Sequence, residues 1–508
     1  MNNGKLCISV CAATADALLE QIKRAADLAD VIEIRFDCLE ENELERFLPN
    51  IKSLKKNYKN EFLATFRPQE QGGQREIKKN ERHTFWCSGI DEYVDWADLE
   101  IDLIEPFLNW VKLNKIYSFH DFTAVPDNLS EIYESLSQNP GVAKIAVQTQ
   151  DLTDTIPIWK LLEKAKSENK EIIPIAMGES GKWTRILGLA HGAFMTYAAL
   201  DSGSETAPGQ VSARDLIEIY RAKELDETTQ IYGIVGSNTG VSISPDIHNT
   251  AFKFHGLNSV FVPLQVHNLD EFMRRMVKAE TREIELNFAG FSVTLPHKQA
   301  IIRHLDHLDE TAEKIGAVNT VKIVDGKLHG YNTDAQGFIE PLLNSYGDLH
   351  NSRVAVLGAG GAARACVYAL KNAGANVKIF ARDLAKAQSL AEDFQVEFKE
   401  LAKTEDQKPK TDFRDFDILV NATPLGMKGK AEGETPVSAE QLKGLQLVYD
   451  LVYIPFQTPL MTEADLAEVP KIGGLAMLIA QAMEQQKIWT GKVAPMKEMS
   501  QAALKRLA

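Results

Sequence analysis

The 508-residue sequence has few cysteines, no long apolar run and no excess of positive charge. Its five cysteines, at positions 7, 11, 38, 87 and 366, form no CxxC pair and no metal-ligand spacing, which argues against a zinc ribbon or a disulfide scaffold. No apolar stretch reaches the length of a membrane span, and the N-terminus MNNGKLCISV lacks a signal-peptide pattern. We therefore expect a cytoplasmic protein with no membrane partner, whose cysteines are reduced thiols.

Acidic residues outnumber basic ones by 71 to 56, which gives a net charge of -15. Phosphate recognition needs clustered positive charge, so this balance argues against a nucleic-acid partner. A small anionic substrate stays compatible with it, because one buried arginine can bind a carboxylate whatever the total charge.

The 44% of hydrophobic residues is typical of globular protein, and the length predicts two to four domains.

The first 200 residues alternate short apolar, β-branched runs with stretches of helical period. Such alternation predicts a parallel sheet, and eight units in this length predict a TIM barrel, with an open doubly wound sheet as the alternative. A polar, helical stretch at 211–230 and a new strand at 231–236 place a domain boundary near residue 225. The eight predicted strands are 6–12, 30–37, 61–68, 97–103, 115–122, 142–149, 171–178 and 193–200.

Charged residues occupy the ends of these strands, where TIM barrels carry their active sites. Glu33 and Arg35 end the second run, Arg67 the third and His120 the fifth, while Lys144 lies inside the sixth. Burial leaves a lysine with more free amine for attack on a carbonyl. The simpler interpretations are a lysine that snorkels along the barrel wall and a histidine satisfied in the core. Together the two residues favour a Schiff-base site for an anionic keto compound.

The motifs EIRFD, TFRPQEQGG, SFHDF, AKIAV and TAPGQ, in this order, resemble type I 3-dehydroquinate dehydratase over residues 5–222. The resemblance implies that Lys144 forms an imine with the substrate ketone, and that His120 acts as general base and then as general acid. It also implies that Arg185 binds the substrate carboxylate. The remaining substrate-binding residues that it implies are Glu33, Arg35, Arg67, Thr206 and Gln210, with Ser9 at the rim.

One position departs from that family. Gln71 lies directly before the glycine pair, where the family usually has a glutamate that orients the histidine. A neutral amide can bond an imidazole but cannot stabilise its charged form. A barrel that acts as a scaffold or as a ligand-binding module is therefore the alternative to an active dehydratase.

The second half contains VAVLGAGGAARA (354–365), a strand followed by a glycine-rich turn and a helix. Backbone N–H groups at such a turn favour a pyrophosphate, so the pattern predicts a dinucleotide site formed by Gly358, Ala359, Gly360, Gly361 and Ala362. After the next strand, Arg382 and Lys386 suit a ribose 2′-phosphate and favour NADP, whereas Asp383 keeps NAD open.

Seven further motifs resemble shikimate dehydrogenase over residues 230–508. They are SISPDIHN (242–249), FSVTLPHK (291–298), GAVNT (316–320), YNTDAQG (331–337), NATPLGM (421–427), DLVYIPFQTPL (450–460) and GGLAMLIAQ (473–481). The resemblance implies a catalytic pair, Lys298 and Asp334. It implies substrate contacts from Ser242, Ser244, Thr294, Asn319, Thr333, Gln481 and Tyr453, and nicotinamide contacts from Asn421, Thr423, Leu451 and Gly474.

The sequence thus predicts an α/β protein in which a TIM barrel (1–225) is fused to a two-lobed dehydrogenase. Its substrate-binding lobe would comprise 226–335 and 470–508, and its Rossmann lobe 336–469. We expect a bifunctional enzyme with no metal that dehydrates 3-dehydroquinate to 3-dehydroshikimate and reduces that product to shikimate with NADPH. A second half that prefers quinate with NAD is the alternative.

Overall fold

The computed structural model describes residues 2–103, 113–401, 411–429 and 431–507. The chain forms two compact units. The first comprises Met1–Ile231, Ser237–Ser242 and Asn258–Phe288, and the second comprises Tyr232–Gly236, Ile243–Leu257 and Ala289–Ala508.

Short parallel strands and helices alternate through the first 231 residues. The strands are β1 (Lys5–Val10), β2 (Val31–Arg35), β3 (Glu61–Thr65), β4 (Trp96–Glu100), β5 (Asn114–Asp121), β6 (Val142–Gln148), β7 (Ile172–Met177), β8 (Met195–Ala199) and β9 (Val211–Ser212). The helices are α1 (Ala15–Ala26), α2 (Glu41–Asn57), α3 (Lys79–Trp86), α4 (Leu129–Ser137), α5 (Ile156–Ser167) and α6 (Lys182–Leu187).

The eight predicted strands close into a barrel. They are hydrogen-bonded in the order β7–β6–β5–β4–β3–β2–β1–β8, with β9 beside β8. The Phe194 N–H donates to Ile172 O at 2.9 Å and joins the start of β8 to β7. One buried cluster draws side chains from all eight strands, as the interior of a closed barrel must. Its members are Cys7, Val31, Leu63, Trp96, Ile116, Val142, Ala146, Ile173, Ile175, Met177, Met195 and Tyr197.

The TIM-barrel prediction is confirmed, and the open-sheet alternative is wrong. The stretch 211–230 differs from the predicted helix, because it begins with β9 and continues into a single π-helical segment at Asp215–Ile219.

The prediction that every cysteine is a free thiol is wrong for two of them. Cys11 and Cys38 form a disulfide with their Cα atoms 5.4 Å apart. Cys11 follows β1 and Cys38 ends the turn after β2, and the register of these strands sets Val10 beside Ile34. The parallel pairing therefore brings together two cysteines that are 27 residues apart and follow no sequence pattern. Cys7, Cys87 and Cys366 are free.

The remainder of the described chain holds twelve strands and ten helices. The strands are β10 (Gln230–Gly236), β11 (Ser259–Gln265), β12 (Phe288–Val293), β13 (His307–Leu308), β14 (Thr320–Val324), β15 (Lys327–Tyr331), β16 (Arg353–Leu357), β17 (Asn376–Ala381), β18 (Glu397–Glu400), β19 (Ile418–Asn421), β20 (Leu447–Asp450) and β21 (Lys471–Ile472). The helices are α7 (Ser244–Phe254), α8 (Leu269–Phe272), α9 (Glu310–Ile315), α10 (Asp334–Tyr346), α11 (Gly361–Asn372), α12 (Leu384–Phe394), α13 (Ala439–Leu442), α14 (Pro459–Leu466), α15 (Gly474–Thr490) and α16 (Met496–Leu507).

Two sheets organise the second unit. One contains β10, β12, β14, β15 and β13 in that order, in which β14 is antiparallel to both β12 and β15, and β13 is parallel to β15. The other is wholly parallel and has the order β18–β17–β16–β19–β20–β21. After β16 the chain adds β17 and β18 on one side of that strand, and then β19, β20 and β21 on the other. The strand order therefore reverses beside β16, which is where open α/β sheets bind their ligands. The predicted Rossmann sheet is confirmed.

Candidate active sites

The barrel encloses a cavity of about 390 Å³, a volume that includes its open mouth. All the barrel residues that the sequence singled out as catalytic or substrate-binding line it. They are Ser9, Glu33, Arg35, Arg67, His120, Lys144, Arg185, Thr206 and Gln210. Parallel strands of a barrel end on the same side, so side chains far apart in sequence converge there.

Lys144 is a buried member of β6 and belongs to a compact charge cluster. Its Nζ donates to Asp98 Oδ2 at 2.7 Å and lies 4.0 Å from the centroid of the Tyr197 ring. Burial alone would raise the pKa of Asp98, but the positive charges of Arg67 and Lys144 outweigh burial and hold that pKa well below the ordinary carboxyl value. Asp98 is therefore an anion that holds the Lys144 amine inside the cavity.

His120 lies on β5, next to the strand of the lysine, where Ser118 is the register partner of Lys144. Side chains alternate along a strand, so His120 and Ser118 lie on one face. Burial first, then the charges of Arg67 and Lys144, lowers the pKa of His120 well below its ordinary value, so the imidazole is neutral at neutral pH. Neither ring nitrogen has a hydrogen-bond partner among the residues that the structure describes. Both are therefore open to a ligand.

Gln71 lies beside His120 but contacts its main chain. The His120 backbone N–H donates to Gln71 Oε1 at 3.3 Å. The Gln71 amide therefore helps to position the end of β5, and it supplies no negative charge for an imidazolium.

Three arginines face the cavity, and two of them are already neutralised. Arg35 forms a two-point ion pair with Asp37, and Arg67 Nη2 donates to Asp98 Oδ2 at 2.7 Å. Arg185 donates one long hydrogen bond, 3.3 Å, to a backbone carbonyl, while its Nε and Nη1 have no partner in the described part of the chain. Burial lowers the pKa of Arg185 to about 10. A buried cation without a counter-ion is a strong binding site for an anion.

The other predicted substrate-binding residues supply neutral donors and acceptors around one carboxylate. Glu33 accepts from the Ser9 hydroxyl and, at 2.8 Å, from Thr65 Oγ1. The Thr206 N–H donates to Gln210 Oε1 at 2.7 Å, and Gln210 Nε2 donates to Thr206 Oγ1 at 3.2 Å. These groups suit a ligand that carries several hydroxyls.

Sequence reasoning missed several residues of this site. Asp98 and Tyr197 contact the lysine, Phe122 lines the mouth, and Glu100 lies behind Arg67. Burial raises the pKa of Glu100 to about 7. The strand ADLEIDL carries a usable signal, because buried acids inside an apolar strand are as unusual as the buried lysine of AKIAV.

In the second unit, Lys298 and Asp334 form an ion pair. Asn319 Nδ2 donates to the other oxygen of Asp334 at 2.8 Å and to Thr333 Oγ1 at 2.9 Å. The Lys298 carbonyl accepts from the Val318 N–H at 2.7 Å, which ties the lysine's backbone to the residue before Asn319. The structure thus brings the predicted pair together, with the second carboxylate oxygen already occupied.

Helix α15 carries Gln481 to the same cluster. Gln481 Oε1 accepts from Asn319 Nδ2 at 3.5 Å. The approach of α15 to α10 requires a glycine, because a Cβ on Gly337 would lie 2.6 Å from Gln481 Cβ and 2.7 Å from its backbone nitrogen. Gly337 lies one turn after Asp334, so this close packing fixes Gln481 near the ion pair.

The remaining predicted substrate-binding residues come from separate segments of the chain. Ser244 is buried as the first residue of α7, and Ser242 lies two residues earlier, in the first compact unit. Thr294 follows β12, and its N–H donates to Val235 O at 2.9 Å. Tyr453 is half-buried against an apolar cluster that contains residues of α7 and α15.

The predicted dinucleotide loop joins β16 to α11. Gly358 adopts a φ of +109°, and its N–H donates to Phe380 O at 2.8 Å. Gly360 precedes the helix, and a Cβ there would meet nothing within 4 Å, so the site of its missing side chain is open. A Cβ on Gly361 would lie 3.4 Å from Lys298 Cδ, which places the loop beside the ion pair. Ala359 and Ala362 are half-buried within it.

The residues predicted beside the nicotinamide form a continuous network. Asn421 Nδ2 donates to Asp450 Oδ1 at 2.9 Å, while Asn421 Oδ1 accepts from the Thr423 hydroxyl at 2.6 Å. The Leu451 N–H donates to Asn421 O at 3.0 Å. A Cβ on Gly474 would overlap the Leu451 carbonyl, so α15 begins in contact with this network.

Arg382 and Lys386, the two cations predicted to bind the ribose 2′-phosphate, differ in their surroundings. Asp383 caps α12 by accepting from the Lys386 N–H at 3.1 Å, and the Lys386 ammonium lies 3.3 Å from the same carboxylate. That backbone hydrogen bond, then the side-chain one from Lys386, lowers the pKa of Asp383. Arg382 is exposed and makes no ion pair with any residue that the structure describes.

The described residues contain no group of three or more His, Cys, Asp or Glu side chains that could hold a metal ion. Within the same residues, every helix is too short or too polar to cross a bilayer.

Comparison with known proteins covers both halves. Residues 6–227 match the family model of type I 3-dehydroquinase, residues 234–321 that of the shikimate dehydrogenase substrate binding domain, and residues 342–426 that of shikimate / quinate 5-dehydrogenase. The chain is 34% identical to a chloroplastic bifunctional 3-dehydroquinate dehydratase/shikimate dehydrogenase of Arabidopsis thaliana, over 97% of this chain and 83% of that one.

The second half alone also has relatives. It is 37% identical to an NADP(+) shikimate dehydrogenase of Methanopyrus kandleri, over 56% of this chain and 98% of that one. A crystal structure of a shikimate dehydrogenase in complex with NADP+ aligns with a TM-score of 0.50 and 35% identity, over 56% of this chain and 98% of that one.

Proposed function

The chain belongs to the family of bifunctional 3-dehydroquinate dehydratase/shikimate dehydrogenases, and from that premise we propose how its residues divide the two reactions. The barrel removes water from 3-dehydroquinate, and the second half reduces the resulting 3-dehydroshikimate to shikimate. The product of the first reaction is the substrate of the second, which gives the fusion a chemical reason.

In the barrel, the neutral Lys144 amine attacks the substrate ketone. The addition product then loses its hydroxyl as water and becomes an iminium. The iminium withdraws electrons, so neutral His120 can remove the neighbouring proton. The resulting enamine expels the hydroxyl on the next carbon, which takes the proton from His120 and leaves as water. Hydrolysis of the iminium then releases the product and restores the amine. Asp98 accepts a hydrogen bond from Lys144 in the ligand-free site and would balance the positive charge of the iminium when it forms.

Arg185 carries this proposal. It is the cavity arginine whose Nε and Nη1 lack partners among the described residues, so its charge is free to bind the substrate carboxylate. A carboxylate there would hold the ring in the cavity that contains Lys144 and His120.

In the second half, Lys298 moves the proton of the reacting oxygen. Asp334 pairs with the lysine, and Asn319 holds the other carboxylate oxygen, so the carboxylate cannot turn away. A bound nicotinamide dinucleotide supplies the hydride. The open site at Gly360 and the backbone N–H groups at the start of α11 would hold its pyrophosphate, and Asn421, Thr423, Leu451 and Gly474 would line its nicotinamide side.

We propose that this dinucleotide is NADP. Asp383, the residue that kept NAD open, is engaged as the cap of α12 and paired with Lys386. Arg382 remains as the exposed cation after β17 and can pair with a 2′-phosphate by two hydrogen bonds.

We further propose the functional boundaries 1–225 for the dehydratase, 226–335 with 470–508 for substrate binding by the dehydrogenase, and 336–469 for the dinucleotide lobe. Substrate contacts would come from Ser242, Ser244, Thr294, Thr333, Gln481 and Tyr453 in addition to Asn319.

The test uses the intact chain with 3-dehydroquinate and NADPH, and follows oxidation of the cofactor. Borohydride with 3-dehydroquinate should add the substrate covalently to the wild-type chain. Lys144→Ala should abolish both dehydration and this labelling while shikimate oxidation stays near wild type, because the second site is separate. Lys23→Ala, an exposed lysine of α1, is the matched control. Substantial dehydratase turnover in Lys144→Ala would contradict the imine.

A further inference from the structure

Asp37 is a buried carboxylate that the proposed mechanism does not use, and it contacts one of the cavity arginines. It is 1% exposed and lies in the turn Phe36–Cys38, which follows β2. Its Oδ1 accepts from Arg35 Nε at 2.9 Å, and its Oδ2 accepts from Arg35 Nη2 at 2.7 Å. Both carboxylate oxygens therefore meet the guanidinium, in the two-point arrangement that gives such a pair a defined orientation.

The same carboxylate also binds the backbone that follows the next strand of the barrel. Its Oδ1 accepts from the Arg67 N–H at 3.4 Å, and its Oδ2 accepts from the Gln74 N–H at 3.1 Å. A carboxylate that only neutralised an arginine would need the ion pair alone, and it could move together with the long side chain that it accompanies. The two backbone donors fix Asp37 itself, so Arg35 is paired with an anion that stays in place.

The turn that carries Asp37 is tied to neighbouring strands of the barrel. It follows β2 directly, and its last residue, Cys38, forms the disulfide with Cys11 after β1. On the side of β3, Arg35 Nη2 donates to the Gly72 carbonyl oxygen at 3.1 Å. The segments that follow β1, β2 and β3 therefore hold the ion pair together.

This arrangement leaves one nitrogen of Arg35 for a ligand. Its Nε and Nη2 are engaged, whereas its Nη1 makes no hydrogen bond within the described part of the chain. Arg35 lines the dehydratase cavity, and a guanidinium is planar and rigid, so the two engaged nitrogens determine where the third one points. Because Asp37 already balances the charge, Nη1 suits a neutral hydroxyl, and the substrate carboxylate is assigned to Arg185 in the proposed function.

We propose that Asp37 is a positioning residue for the dehydratase, because it fixes the guanidinium of Arg35 so that Nη1 meets a hydroxyl of the substrate. Asp37 lies outside the set of residues that line the cavity, so it would act through Arg35 without touching the substrate. The inference rests on the proposed dehydration and on the substrate contact expected of Arg35. Every residue that it uses belongs to the compact unit of the barrel.

The test is a double-mutant cycle of Asp37→Asn and Arg35→Met in the full chain, with dehydration of 3-dehydroquinate as the assay. Asp37→Asn should raise the KM about tenfold to a hundredfold with kcat within about threefold, because the misdirected hydrogen bond is lost equally in the bound substrate and in the transition state. Arg35→Met should raise the KM to a similar extent. The double variant should be no worse than Arg35→Met alone, because Asp37 then has nothing left to position.

Stability separates positioning from general damage. Asp37→Asn should lower the urea midpoint of unfolding, because Arg35 is left as a buried charge without its anion, and the double variant should recover most of that loss. The KM of the double variant should nevertheless stay high, whereas a merely structural Asp37 would lose and regain activity in step with stability. Asp127→Asn, at an exposed position before α4, is the matched control and should change neither quantity.

A second variant covers the case in which Asp37→Asn does not fold. Asp37→Glu keeps the negative charge and displaces the carboxylate by one methylene, so it should raise the KM about threefold to tenfold by turning the guanidinium. An unchanged KM in either variant would overturn the proposal. An equal, multiplying rise in KM when Asp37→Asn is added to Arg35→Met would also overturn it, because the effect would then bypass Arg35.

The cycle distinguishes this failure from failure of the proposed function. If Arg35→Met raises the KM and Asp37→Asn does not, only the positioning role is lost. If Arg35→Met changes nothing, the expected substrate contact of Arg35 is wrong and the positioning role is wrong with it. A wild-type chain that neither dehydrates 3-dehydroquinate nor takes the borohydride label would contradict the proposed function itself.

Discussion

Two buried arginines of the barrel cavity should respond to the same substitution in opposite directions. Arg185 and Arg67 are both nearly inaccessible to water, at 2% and 5% exposed. Arg67 lies between Asp98 and Glu100, whereas the Nε and Nη1 of Arg185 meet no partner among the described residues. Of these two cations, Arg67 is neutralised by the fold, and we propose that Arg185 is held for a ligand.

The magnitude follows from the burial of Arg185, which lowers its pKa from the ordinary value to about 10. Each tenfold change in a protonation equilibrium is worth about 1.4 kcal/mol, so the fold loses about 3 kcal/mol by holding this charge without a partner. Arg185→Met fills a similar space without the charge and should stabilise the ligand-free barrel by up to that amount. Arg67→Met should instead destabilise it by up to about 3–5 kcal/mol, because it removes one of the two cations beside buried Asp98 and leaves that negative charge less compensated.

The assay is urea unfolding of each full-length variant without ligand, with dehydratase kinetics in parallel. Arg185→Met should lower kcat/KM for 3-dehydroquinate by about 10²–10⁴, since two charge-assisted hydrogen bonds of about 1.5–3 kcal/mol each are lost. Stability that falls in Arg185→Met as it does in Arg67→Met would refute the reasoning, because the charge would then have a counter-ion in the folded protein.

Three further outcomes follow from the two sites. Lys298→Ala should lower kcat for shikimate by about 10²–10⁴ and leave dehydration unchanged, and an effect on KM alone would make the lysine a binding residue. Arg382→Ala should weaken NADP about tenfold or more and hardly affect NAD, as measured by kcat/KM for each cofactor; equal efficiency of the wild type with NAD would favour the quinate alternative. Because burial lowers the pKa of His120, the neutral base should persist below pH 6.5, and Gln71→Glu should move the acid limb of the dehydratase pH profile upward by stabilising the imidazolium. An unmoved limb would show that the carboxylate does not reach the ring.

The sequence by itself determined the features that depend on residues close together in the chain. Alternating apolar runs and helical stretches predicted eight strands, and each predicted range overlaps a barrel strand of the structure. The prediction succeeds because strand and helix periods are properties of neighbouring residues. The charged ends of those strands could be assigned to one cavity from the sequence alone, since parallel strands of a barrel end on one side. Lys144 and His120 could be predicted to share a site for this reason. The same holds for the glycine-rich turn at Gly358, whose position between a strand and a helix is local.

Tertiary structure alone decided which charges meet. Arg35 pairs with Asp37, two residues further along the chain, but only barrel closure places the carboxylate of Asp98 beside Arg67 and leaves Arg185 without a carboxylate partner among the described residues. The Cys11–Cys38 bond also joins residues that no spacing relates. Ion pairing, disulfide formation and close backbone packing depend on distances between segments far apart in the chain. Those distances exist only after the sheets have closed and packed, so no pattern of adjacent residues encodes them.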